Sequence, residues 1–185
     1  YVFSEIQTES EMPLSVLFDH KINIRNKLDK QNFALARWLV LSNAGGTNPC
    51  AAYVDLNTLD KKKLIIDQTL YWYLAESEEE ALYIVGILNS MTLSTAISDF
   101  QPQGGFGARH IHTIPYKIIP RFNANDDAHM EVVTKTRELI NEWTSFCNTD
   151  KVGKYLLPNS GSLNSRRRKL QTVLKTMTSY AEYEE

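Results

Sequence analysis

The stretch LYWYLAESEEEALYIVGILNS, Leu70 to Ser90, limits the possible folds more than any other part of the chain. Its opening belongs to a run in which Ile65, Ile66, Thr69, Leu70, Tyr71, Trp72 and Tyr73 are β-branched, apolar or aromatic, and this composition predicts a strand. Ser77 followed by Glu80 makes a capping box, and Ala81, Leu82, Ile84, Val85, Ile87 and Leu88 supply a helical apolar face, so a helix is expected over Glu78 to Ser90. Glu78, Glu79 and Glu80 suit its first turn, where the helix dipole favours anions.

Upstream, FALARWLVLSNAGG and CAAYVDLN read as two further strands, separated by a turn or loop whose Asn, Gly and Pro break regular structure. The stretch to about Asp29 reads as irregular, leading into a short helix or strand. Downstream, TLSTAISDF continues helically or after a short break and ends at QPQGGFG. HIHTIPYKIIP alternates with two prolines and is expected as an extended or edge strand. Asn125 or Asp126 then caps an amphipathic helix, DAHMEVVTKTRELINEWTSFC, with Val132, Val133, Leu139, Ile140, Trp143 and Phe146 inward. A last helix is expected from about Leu163 to Tyr180. Strands first and helices interleaved later give an α+β fold, with a mixed or antiparallel sheet. The expected division is an α+β domain over 1–150 and a loop with a C-terminal helix over 151–185, packed on it or projecting.

Size and composition fit this reading, because 185 residues that are 43% hydrophobic can bury a core. No apolar run of membrane-spanning length and no signal peptide occurs, and the start at Tyr1 without an initiator Met points to a piece of a longer protein. Cys50 and Cys147 are expected as packed thiols in a reducing, cytoplasmic compartment. The net charge of −2 hides an asymmetry: residues 1–100 hold 8 Lys and Arg against 13 Asp and Glu, and residues 101–185 hold 12 against 9.

The positive field is most concentrated in SDFQPQGGFGARHIHTIPYKIIPRF, Ser98 to Phe122, which has no acid after Asp99. Gly104, Gly105 and Gly107 do not make a dinucleotide loop, since the third glycine of that pattern is missing and a helix precedes them where a strand is needed. His110 and His112 project from one face of a strand, with His129 further on, but no Cys or carboxylate accompanies them at ligand spacing and a metal is not expected. Arg109, Lys117 and Arg121 suit phosphate, which Arg grips with paired hydrogen bonds and which exposed glycine amides also bind. A tight loop with solvated cations is the alternative. The run Arg166, Arg167, Arg168 and Lys169 has the same two readings, a phosphate-contacting helix start or a solvated helix face. Tyr71, Trp72 and Tyr73 alternate across a strand, so one ring is expected in the core and another on the surface, free to stack or to meet a partner.

The succession VLSNAGGTNPCAAYVD, LIIDQTLYWYLAESEEEALYIVGILNS and QGGFGARHIHTIPYKIIPRFNANDDAHMEVV resembles the C-terminal target-recognition region of adenine-N6 DNA methyltransferases of restriction-modification systems, the TaqI-like and combined restriction-methylase types. The likeness covers roughly Ala36 to Trp143. That family's catalytic domain carries an Asn/Asp-Pro-Pro-Tyr/Phe motif and a glycine-rich S-adenosylmethionine loop. This chain has neither, since Asn48-Pro49 is followed by Cys50.

The resemblance therefore implies a noncatalytic fragment of a prokaryotic S-adenosylmethionine-dependent methyltransferase, with the catalytic domain and its cofactor N-terminal to Tyr1 and no cofactor in this chain. Its partners are then double-stranded DNA and that methyltransferase domain. Arg109, Lys117, Arg121 and Arg166 to Lys169 are expected to clamp phosphates beside His110 and His112, and Asn43 to Asn48 to reach base edges. Two rivals come from other classes. One is a protein-interaction module using LYWY and the last helix, and the other is an enzyme with a site around His110, His112 and His129.

Overall fold

A computed structural model describes residues 31–43, 49–61, 64–66, 69–98, 119–147, 152, 155 and 161–180, and among these described residues three strands and four main helices carry out this pattern. Strands β1 (Trp38–Asn43), β2 (Ala51–Asp55) and β3 (Leu70–Ala75) form an antiparallel sheet in the order β2-β1-β3. The helices are α1 (Glu78–Asn89), α2 (Met91–Ser98), α3 (Asp127–Cys147) and α4 (Leu163–Leu174). The fold is α+β, as the sequence predicts. The expected N-terminal irregular segment and the extended stretch from His110 to Ile118 lie outside the described residues.

β1 is central because both of its faces are apolar. Val40 stands opposite Tyr53 on one side and Tyr73 on the other, and packs with Ala51 and Ala75 against Ala81 and Val85 of α1. Leu39 points the other way, into a second core with Phe33, Leu56 and Ile66. Leu56 opens a 3-10 turn (Leu56–Thr58) directly after β2, and Ile66 precedes β3. The connection that carries the chain past β1 therefore fills the core on the face away from α1.

The predicted helix starts and stops are met by specific groups. Ser77 Oγ accepts from Glu80 N at 3.1 Å, while Glu80 reaches back one residue beyond the cap to accept from Glu76 N at 2.7 Å. Ser90 ends α1 and starts α2: its hydroxyl donates to Ile87 O at 2.9 Å and accepts from Leu93 N at 3.1 Å. Asp126 Oδ1 accepts from Ala128 N at 3.0 Å, which makes Asp126 the residue that caps α3. The last helix is interrupted after Leu174, where turns precede a short helical piece at 178–180. Glu142 of α3 holds that piece, accepting from Thr178 N at 3.1 Å, Ser179 N at 2.9 Å and the Ser179 hydroxyl. These bonds hold the Glu142 carboxyl below its ordinary range.

α1 departs from the single-face expectation. Ala81 and Val85 meet the sheet, but Leu82 and Tyr83 turn away from it and pack with Val133 of α3. A helix covered on two sides is apolar nearly all round, so its periodicity reveals that it is buried and not which side meets what.

Two carboxamides tie remote segments together. Asn89 accepts from Ala51 N and donates to Ala51 O, both at 2.8 Å, continuing the ladder from the end of α1 onto β2. Gln31 does the same for Ile66, at 2.8 Å from its N–H and 2.6 Å to its carbonyl. Asn89→Leu removes both of these partners of the buried Ala51, and a loss of about 1–3 kcal/mol in unfolding free energy is expected from denaturant titration.

Candidate nucleic-acid interface

The basic window enters the described structure only at its C-terminal end, and there it is firmly held. Ile119 and Phe122 pack against the cluster of Leu82, Tyr83 and Val133. The Tyr83 hydroxyl donates to Pro120 O at 3.2 Å, and the Tyr83 ring lies 5.5 Å from Phe122 and 4.6 Å from His129. Burial, then the nearby Asp126 carboxylate, pushes the Tyr83 hydroxyl above its ordinary pKa, so it remains a donor at neutral pH. With Ile119 and Phe122 packed against the helices, Arg121 is exposed, and it makes no ion pair among the described residues.

Arg121 borders a groove of about 760 Å³ between α1, β3 and this segment. Val40, Ser42, Ile84 and Leu88 line it on the sheet and helix side, with Tyr71 and Tyr73 along β3. Strand alternation sends the three rings of β3 as expected to two faces. Trp72 enters the core edge-on to Phe33 at 5.4 Å, while Tyr73 keeps 47% of its surface exposed. The Tyr73 hydroxyl donates to Glu80 Oε1 at 2.8 Å, which fixes the ring. Burial and this bond to a carboxylate raise its pKa. Ser42 is 5% exposed, and its hydroxyl has no hydrogen-bond partner among the described residues.

The second group of cations lies on α4. Ser162 caps this helix, accepting from Ser165 N at 3.3 Å. Arg166 to Lys169 all fall within it, with Arg168 and Lys169 exposed and Arg166 half-buried. Lys169 Nζ lies 5.0 Å from the Tyr155 ring centroid, in cation–π range. α4 contributes no described residue to the lining of the Arg121 groove.

Asn43 has a structural task that sequence reading did not foresee. Its Oδ1 accepts from Cys50 N at 2.7 Å and its N–H donates to Cys50 O at 3.1 Å, closing the β1–β2 hairpin. Asn48, Gly104, Gly105, Gly107, Arg109, His110, His112 and Lys117 lie outside the described residues. His129 packs within the aromatic cluster. Its Nδ1 accepts from Asn123 N at 3.1 Å, which fixes the loop before α3. No group of three or more His, Cys, Asp or Glu able to hold a metal occurs among the described residues.

Cys50 is exposed, contrary to the expectation of a packed thiol, because it follows Pro49 at the loop end of the hairpin. Cys147 is half-buried, and burial raises its thiol pKa. No described helix is long and apolar enough to cross a membrane.

Sequence reasoning missed Ser42 and the anchoring pair Ile119 and Phe122. Apolar residues flanking Arg121 in KIIPRF were the available signal for the anchors. Ser42 becomes visible only once β1 pairs with β3 and places it opposite Tyr71. Comparisons with protein-family models, curated proteins and solved structures find no match to this chain.

Proposed function

We propose that this chain is a noncatalytic DNA target-recognition module of an adenine-specific methyltransferase or restriction-methylase, acting in the cytoplasm of a prokaryotic cell. The observation that carries the reading is the presentation of Arg121. The flanking Ile119 and Phe122 are half-buried against the core and Pro120 O is hydrogen-bonded, while Arg121 is left exposed beside an aromatic groove. A rigid backbone that turns one arginine outward lowers the ordering cost of gripping a phosphate. The same acid-free window carries Arg109 and Lys117 in sequence, and α4 exposes Arg168 and Lys169 as further cations. Phosphate contacts of this kind set register on the duplex and leave base reading to neighbouring loops. Methyl transfer, with S-adenosylmethionine, belongs in this reading to a separate catalytic domain, and the module's task is to position the duplex for it.

Arg109→Ala combined with Arg121→Ala is the test. Anisotropy titration with labelled duplex DNA should show binding weakened by about tenfold or more, the value of charge-assisted hydrogen bonds, with an unchanged circular dichroism spectrum. Unchanged affinity would remove these arginines from the interface.

A further inference from the structure

The groove beside Arg121 has features that a phosphate clamp does not need. Its exposed Tyr73 ring is held in place by a hydrogen bond to Glu80, whose other oxygen is fixed by Glu76 N at 2.7 Å. A surface tyrosine locked in this way is a ready stacking platform, because little side-chain entropy remains to be lost. The Ser42 hydroxyl on the groove lining is buried without a partner among the described residues, and a buried hydroxyl in that state is satisfied by a ligand that supplies one. Glu76 also lines the groove, with its carboxylate making no bond to another described residue, and a carboxylate accepts well from an exocyclic amino group. The volume, about 760 Å³, lies within the range of roughly 300–1,000 Å³ typical of small-ligand sites.

We propose that this groove receives one unpaired nucleotide of the bound DNA, with its base stacked on Tyr73, its edge turned to Ser42 and Glu76, and its phosphate on Arg121. The proposal rests on the reading of the chain as a DNA-binding module. Ring, hydroxyl, carboxylate and guanidinium match the base face, the base edge and the phosphate of a nucleotide that carries an amino-bearing base. An apolar peptide side chain would use the ring and leave the other three unmatched. A nucleotide already unpaired should bind best, because the cost of taking it out of the stack is then absent.

The test compares a matched duplex with the same duplex carrying one unpaired deoxyadenosine, by anisotropy titration on the full chain. The unpaired site should bind about tenfold tighter, on the scale of one base–aromatic stack. Tyr73→Leu should abolish this preference and leave affinity for the matched duplex unchanged. Tyr73→Thr, a residue that suits a strand, serves the same purpose if the leucine variant does not fold. Equal binding of the two duplexes, or a preference that survives loss of the ring, overturns the groove assignment and leaves the DNA-binding reading standing. Failure to bind either duplex overturns both.

Discussion

Gly86→Leu is expected to be among the most destructive single substitutions in the helical layer. A Cβ at Gly86 runs into Thr136 Oγ1 and comes within 3.0 Å of Val132 Cγ1, so α1 and α3 touch where the glycine is. Thr136 is 3% exposed and β-branched, which leaves it little freedom to turn aside. Overpacking of this kind costs about 1–3 kcal/mol for a few methylenes, and a leucine here must also separate the helices that bury Leu82, Tyr83 and Val133. Denaturant titration should therefore show a loss of about 3 kcal/mol or more, or no cooperative transition at all. Gly86→Ala is a finer probe. Its gain of about 1 kcal/mol in helix propensity opposes the clash, so a smaller net loss is expected. Adding Thr136→Ala removes the clashing hydroxyl, which has no hydrogen-bond partner among the described residues. The double variant should recover part of the loss, with a coupling of about 1 kcal/mol in a double-mutant cycle.

Tyr83→Ala should cost about 3–5 kcal/mol, the range for truncating a buried aromatic ring. The ring is 2% exposed and packs with Phe122 and His129. It also anchors the 119–122 segment, so a folded remnant would hold Arg121 less firmly and bind DNA more weakly. Tyr83→Phe separates these effects, because it keeps the ring and deletes only the bond to Pro120 O. A loss of about 0.5–1.5 kcal/mol is expected, measured by thermal or denaturant unfolding. A phenylalanine variant as damaged as the alanine variant would mean that the hydroxyl, and not the packing, holds the segment.

Much of this architecture was legible in local sequence. The capping serine and glutamate of α1 and the start of α3 near Asp126 were signalled by residues within four positions of one another, whereas the sequence left open whether the chain breaks after α1, as it does at Ser90. The strand runs were legible for the same reason. What escaped depends on partners far away in the chain. Asn89 meets Ala51 and Gln31 meets Ile66 across 38 and 35 residues, and no periodicity encodes such meetings. Strand order escaped as well, since β3 passes over its sequence neighbour β2 to pair with β1. That choice decides which rings of LYWY become core, because pairing with β1 puts Trp72 opposite Leu41 and Tyr73 opposite Val40. At the proposed interface, charge and glycine content marked the window, but the packing of Ile119 and Phe122 that leaves Arg121 exposed depends on α1 and α3 meeting. Asn43 shows the limit of chemistry read without geometry, since a side chain suited to base edges also serves to close the hairpin in which it stands.

The central claim is that this chain binds duplex DNA through phosphates, and the salt dependence of that binding tests it most directly. Each neutralised phosphate contributes about −0.9 to the slope of log K against log salt. Some four contacts, Arg121 among them, should lower affinity by about a hundredfold between 50 and 200 mM salt. Anisotropy titration of the full chain on labelled duplex across that range is predicted to give this steep, linear decline. An affinity independent of salt, or no binding at the low end of the range, would contradict the account.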